Sequence, residues 1–244
     1  QDVLHRVEDV RVEADGEFAD VARAGIGIED LVNGLGVAFL RVPPFIMTLG
    51  MSSIIFGLAL TITGGIPIYG APESFTNTFG YGTFLGISLS IWVTLFFIGI
   101  VYIFLNLTKM GRYFYAIGGN VRAAELSGIN IRVYIVSAYV FSAIITSIAA
   151  LLITARLETG EPNIGASYPL LSIAACAIGG VSLLGGVGRV QNVVLGAFFI
   201  ILIQNGMNLM RVGSYLQMVV IGALLIVAIS AEYFRQQMLT TVKN

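Results

Sequence analysis

Few residues in this chain could do chemistry, and their types decide which chemistry is open. His5 is the single histidine and Cys176 the single cysteine. A disulfide framework, a multi-cysteine metal site and an HExxH centre are therefore excluded, and a Ser-His-Asp triad would have to be built on His5. The two lysines, Lys109 and Lys243, do not close a GxxxxGK[ST] run, so the chain has no P-loop and does not hydrolyse ATP by itself. What remains is hydrogen bonding by carboxamides. Gln204 and Asn208 stand four apart on one helix face, with Asn205 beside them at the three-residue spacing. Amides donate and accept, so this cluster suits the hydroxyls of a polar solute in transit. It suits equally well the tying together of helices in an apolar medium. No catalytic residue, metal ligand or cofactor is expected.

The elements that must position these groups are set by where charge is absent. Of 244 residues, 57% are hydrophobic and 11% charged, against about 25% charged in soluble domains. Mean hydropathy is +0.89. A net charge of −1 gives no basic face for nucleic acid. Charge-free intervals separate Arg41, Glu73, Lys109, then Arg132, Arg156, then Glu161, Arg189, Arg211 and Glu232. Each interval is long enough for a helix of about 20 residues crossing a bilayer. The intervals predict spans near 45–65, 88–107, 133–155, 170–187, 190–210 and 214–231. The fold class is thus all-α, a polytopic transmembrane helical bundle of about six spans in this chain. Pro43-Pro44 suit the first turn of the first of these spans, where a missing N–H costs nothing. Six spans place eight cations (Arg41, Lys109, Arg112, Arg122, Arg132, Arg189, Arg235 and Lys243) on one side and Arg156 and Arg211 on the other. Positive loops stay cytoplasmic, so the 108–132 loop and the C-terminus are expected to face the cytoplasm.

The first thirty residues differ in composition, with nine acids and three arginines, net −6, against +5 for the remainder. They lack the positive start and apolar core of a signal peptide. Either they are a soluble extension or they reflect a truncated or mis-joined reading of a longer gene. Residues 31–40 are apolar but too short to span, like the tail of a span. The domain expectation is an acidic non-membrane segment over 1–30, a transmembrane domain over 31–235 and a cytoplasmic tail over 236–244.

The longest polar interval on the positive side, 109–132, predicts a small helix of its own. Asn120 is a good N-cap, Val121 to Ser127 are mostly helix formers, and Gly128 suits the left-handed residue that ends a helix. Two turns are marginal alone in water, so this helix must dock. Ala123 and Ala124 give it a small-residue face, and Gly118-Gly119 permit a sharp turn before it. It reads either as a surface that receives force from a separate motor or as an ordinary interfacial loop helix.

The run Gly-Arg-Tyr-Phe-Tyr-Ala-Ile-Gly-Gly-Asn over 111–120, followed by Ala-Ala-Glu-Leu-Ser-Gly-Ile over 123–129, resembles the cytoplasmic coupling loop of ABC-importer permeases of the ribose/simple-sugar type, in the branched-chain amino acid/monosaccharide permease superfamily. Three further segments resemble that family in order: Arg-Val-Pro-Pro-Phe-Ile-Met-Thr-Leu-Gly over 41–50, the run 152–165 with Thr-Ala-Arg-Leu-Glu-Thr-Gly-Glu-Pro, and Ile-Gly-Gly-Val-Ser-Leu-Leu-Gly-Gly-Val-Gly-Arg over 178–189. Pro169 and Leu170 stand where the family usually has acidic residues. The family also has further spans ahead of residue 31, so the resemblance implies an N-terminally truncated chain. It implies, further, a permease subunit in the cytoplasmic (inner) membrane that moves a monosaccharide such as ribose by alternating access. Its partners would be a cytoplasmic ABC ATPase, an extracytoplasmic sugar-binding protein, a second permease copy and the lipid bilayer, with no nucleic acid. The coupling element would comprise Gly111, Arg112, Tyr115, Gly118, Gly119, Asn120, Ala123, Ala124, Leu126, Ser127 and Gly128. An ion-coupled secondary transporter of a small polar solute is the other reading. That class typically places Asp, Glu or His inside the bilayer, and the six expected spans hold none.

Overall fold

A computed structural model describes residues 29–183 and 185–241, with the backbone alone from 231 onward. Helix α1 covers 29–39. Pro43 and Pro44 then start α2 (Pro44–Thr63), with proline in the first turn as expected. The segment that follows is short and irregular: β1 (Ile68–Tyr69), α3 (Glu73–Phe75), a π-helical turn over Thr76–Gly80, then β2 (Thr83–Phe84) and β3 (Ile87–Ser88). Long helix returns in α4 (Leu89–Leu107), followed by α5 (Lys109–Gly119), α6 (Val121–Leu126) and α7 (Ile131–Leu157). Strand β4 (Thr159–Gly160) and a 3₁₀ turn over Ile164–Ser167 lead to α8 (Tyr168–Ile178), α9 (Val190–Leu209) and α10 (Ser214–Thr241).

Four of these, α2, α4, α7 and α9, are long and apolar enough to cross a membrane. Helix α10 carries a shorter apolar stretch, Ser214–Ser230, and its helix runs on to Thr241, into the segment expected to form a tail. Helices α2 and α4 bury no residue within the chain, so their apolar faces need lipid or another protein around them. The expected span 170–187 is corrected. Helix α8 has 11 residues, about 16 Å of rise and half a bilayer core. It ends because Gly180 takes φ +70 and the chain turns through Gly185 and Gly186, also at positive φ. The acidic segment expected over 1–30 lies almost wholly outside the described residues.

The chain divides into two compact units. In the first, residues up to Ile100 join Ile129–Ile164. Gly34 of α1 lets that helix approach α7, since a Cβ there would meet Val136 Cα and Tyr139 Cβ at 3.2 Å. The Arg132 guanidinium lies 5.5 Å from the Phe39 ring centroid. Beyond the far end of α7, β1 pairs antiparallel with β4, Ile68 opposite Gly160. Gly80 rests against the Ala155 carbonyl, and Ala155 is fully buried. Trp92 Nε1 donates to the Phe84 carbonyl at 3.1 Å, and Ser90 Oγ to the Phe79 carbonyl at 2.6 Å. Tyr81 donates to the Glu158 carboxylate, and that bond and charge push the phenol above its ordinary value.

In the second unit, Val101–Gly128 joins the chain from Gly165 onward. Its core is Ala174, Ala175 and Ile200, with Leu171, Ile178, Ala197 and Leu225 packed around them. Helices α8 and α9 touch through Gly196, whose Cβ would collide with the Ala175 carbonyl and sit 3.0 Å from the Gly179 nitrogen. Gly206, on the same helix, has open space where a Cβ would go. Gly196→Val should therefore lower the thermal stability of the detergent-solubilised protein by about 1–3 kcal/mol, and Gly206→Val should fall well short of that. Equal melting shifts from the two would contradict this crossing.

Candidate functional site

The small helix expected from Asn120 forms. Asn120 is extended (φ −158, ψ 102), and its side-chain oxygen accepts from the Ala123 N–H at 3.0 Å, the N-cap geometry that satisfies an orphan donor. Gly128 closes the helix at φ +80, and its N–H donates to the Glu125 carbonyl at 3.0 Å. Ser127 Oγ donates to the Ala123 carbonyl at 2.9 Å. The two alanines do not share one face. Ala124 is 4% exposed and belongs to the chain's own packing, whereas Ala123 is exposed. The outward face is Val121, Leu126 and the pair in which Arg122 Nη1 meets Glu125 Oε2 at 2.7 Å. Leu126 is 76% exposed, an apolar side chain open to contact on this face.

Residues 109–119, expected as loop, are helical. Thr108 is their N-cap, its hydroxyl accepting from the Gly111 N–H at 3.2 Å. Gly111 is buried against the Leu105 carbonyl, where any side chain would collide. This lets α5 fold straight back from the end of α4, with the Phe104 and Phe114 rings 5.9 Å apart. Arg112 is exposed and Tyr115 half-buried. Glycines at 111, 118 and 119 hid this helix, since each lowers helix propensity by about 1 kcal/mol. Thr108 and the apolar spacing of Phe114 and Ile117 were the signals for it.

The end of α5 meets the glycine-rich turn after α8, backbone to backbone. A Cβ on Gly118 would lie 2.5 Å from the Gly186 nitrogen, and one on Gly186 would lie 2.6 Å from Gly119 Cα. Two segments read separately from the sequence, Gly118-Gly119 as a sharp turn and 178–189 as a family-like run, are thus one joint. Gly186 is needed twice over: its φ of +76 strains any L side chain. The turn is closed by Ser182 N–H to the Val187 carbonyl at 2.8 Å. Beside it lies a cavity of about 320 Å³ lined by residues of α4, α5, the turn and α9.

The amides sit elsewhere. Gln204, Asn205 and Asn208 are near the end of α9, about 21–27 Å along that helix from Val190. Gln204 is half-buried, and Asn205 and Asn208 are exposed in the single chain. Asn208 Oδ1 accepts from Gln217 Nε2 at 2.9 Å, and the same nitrogen donates to the Val212 carbonyl at 2.8 Å. Gln217, which the sequence reading passed over, therefore ties the α9–α10 turn through one of the three amides. Gln204 and Asn205 have no such partner among the described residues.

Gly118 and Gly119 offer a matched pair of substitutions. Gly118→Ala must push a Cβ into the Gly186 backbone, while a Cβ on Gly119 meets nothing within 4 Å. Gly118→Ala should cost about 1–3 kcal/mol of stability and Gly119→Ala little, read as melting temperatures in one detergent. A Gly118→Ala variant as stable as Gly119→Ala would refute the joint.

Comparison with known proteins follows the same segments. The family model described as branched-chain amino acid transport system / permease component matches residues 27–229. The chain is 36% identical over 206 residues to the ribose import permease protein of Haemophilus influenzae, covering 83% of this chain and 64% of that protein. It is 35% identical over 211 residues to the L-arabinose transport system permease protein of Escherichia coli, covering 86% and 64%. To the ribose import permease protein of Bacillus subtilis it is 39% identical over 199 residues, covering 81% and 62%. The chain thus spans slightly under two thirds of the length of these relatives. No solved structure matches it. With a family match over most of its length and these identities, the chain belongs to the branched-chain amino acid transport system permease component family.

Proposed function

We propose that this chain is the membrane-spanning permease subunit of an ATP-driven importer for a monosaccharide such as ribose. The observation that carries this reading is α6: a capped two-turn helix, anchored through buried Ala124, that holds Val121, Leu126 and the Arg122–Glu125 pair outward. A helix this short gains its stability from docking, and an exposed leucine beside an exposed ion pair suits a cleft on a cytoplasmic ATPase. Family membership supports the same reading. The relatives whose names give a sugar carry ribose, arabinose or allose, so the reading is of a monosaccharide permease with ribose one candidate among pentoses and hexoses.

The chain makes and breaks no bond of its own. ATP-driven closure of the ATPase pair moves α6, and the Gly118–Gly186 joint passes that motion to the α8–α9 turn. The spans then alternate between outward-open and inward-open. An extracytoplasmic sugar-binding protein delivers the sugar, a second permease copy completes the pathway, and the 108–132 loop and C-terminus face the cytoplasm of the inner membrane. Gln204 and Asn205 would meet sugar hydroxyls in this reading, supported by their having no hydrogen-bond partner among the described residues, with Asn208 engaged in part by Gln217. The coupling residues from Gly111 to Gly128 divide by role. Gly111, Gly118, Gly119, Asn120, Ala124 and Gly128 shape and seat α6, whereas Arg112, Ala123, Leu126 and Ser127 present surface and Tyr115 faces the adjoining cavity.

Co-expression with a sugar-importer ATPase and co-elution from detergent tests this. Leu126→Arg should abolish co-elution while leaving the melting temperature unchanged, because the side chain is exposed. Ala124→Arg, which forces a charge into buried packing, should lower stability as well. A folded Leu126→Arg variant that still carries the ATPase would overturn the assignment of α6.

A further inference from the structure

The proposed force transfer leaves the cavity beside the glycine turn without an occupant, and its lining points to what would fill it. Val101 and Leu105 come from the last two turns of α4, Phe114 from α5, Val187 from the turn and Val193 from α9. Arg189 is the one charged residue on the lining, and it forms no ion pair among the described residues. The lining is mostly apolar, with Tyr115, Ser182 and Arg189 its polar side chains, so a sugar would leave most of its hydroxyls without partners. A hydrocarbon chain gains on entering such a wall.

The cavity also lies at the right depth. Helix α4 is a candidate span, so its final turns mark the level at which acyl chains give way to headgroups. A cation there keeps its head at the interface while its stem covers apolar surface. The described side chains of this unit carry Lys109, Arg112, Arg122, Arg189 and Arg211 against the single acid Glu125, which is paired with Arg122. Basic pockets between spans on the cytoplasmic side suit anionic lipid headgroups.

We infer that an anionic phospholipid of the surrounding bilayer seats in this cavity, one acyl chain against Val101, Phe114 and Val193 and its phosphate on Arg189. The wall formed by Gly185 and Gly186 is the same backbone that meets Gly118 and Gly119. A seated chain therefore braces the turn against α5 and supports the joint from the side of the lipid. The inference rests on membrane embedding and the geometry of this unit, not on the sugar or the ATPase.

The full chain, purified in detergent and equilibrated with an equal mixture of phosphatidylglycerol and phosphatidylcholine, would be weighed by native mass spectrometry. Phosphatidylglycerol should be retained in clear preference. Arg189→Gln should lower its retention about tenfold, as expected for loss of a charge-assisted hydrogen bond, with Arg189→Lys restoring most of it. Val193→Trp, which fills the cavity, should lower retention of both lipids; circular dichroism checks that each variant is folded. Equal retention of the two lipids by the unaltered chain, or undiminished phosphatidylglycerol on Arg189→Gln, would overturn the proposal even if the Val193 variant failed to fold.

Discussion

The force transmission proposed for this chain depends on one backbone contact, that of Gly118 and Gly119 against Gly185 and Gly186. Side chains are flexible and absorb small displacements, whereas two backbones in van der Waals contact with no Cβ between them do not. In the proposed mechanism a push on α6 would reach Gly119 through the N-cap at Asn120 and pass to the turn ahead of α9 without slack. That turn in turn sets the start of a 20-residue helix, so a small rotation there would be carried about 21–27 Å to the amides. Packed elements of this kind shift between discrete arrangements instead of deforming continuously, which is what alternating access requires.

The short α8 is the price of that joint. An unbroken span over 170–187 would have left no turn for α5 to touch. The sequence interrupts it with Gly179 and Gly180, and half a bilayer of helix is exchanged for an irregular segment. Irregular backbone at membrane depth is tolerated only where protein or a water-filled cavity covers it. Here the end of α5 and the end of α4 provide cover, with Gly111 letting α5 fold back tightly enough to do so. A bound acyl chain in the adjoining cavity would complete the seal.

Much of this was legible in the residues, and the division follows physical causes. Charge-free intervals located α2, α4, α7, α9 and the apolar part of α10 because a bilayer penalises charge along a whole helix, a signal that survives in composition. Asn120 and Gly128 located α6 because caps are local chemistry. The break in 170–187 was not legible by charge, since glycines carry none, although Gly179-Gly180 was the available sign. Helix α5 was hidden by its glycines, which serve tertiary contacts at the expense of propensity. The burial of Ala124 is tertiary, and the pairing of Gly118 with Gly186 joins residues about 70 apart in sequence, so no local pattern reports either. Asn208 was found, but its partner Gln217 lies across a turn and was not.

The central claim is that the glycine joint carries the stroke, and the coupling ratio tests it most directly. The chain would be reconstituted in liposomes with the proposed ATPase and sugar-binding protein, and sugar taken up would be measured against ATP hydrolysed. Gly186→Ala separates the two backbones while leaving the outward face of α6 untouched. The account predicts that the ATPase still binds and hydrolyses ATP while sugar moved per ATP falls sharply. A folded Gly186→Ala variant with the unaltered protein's ratio would contradict it.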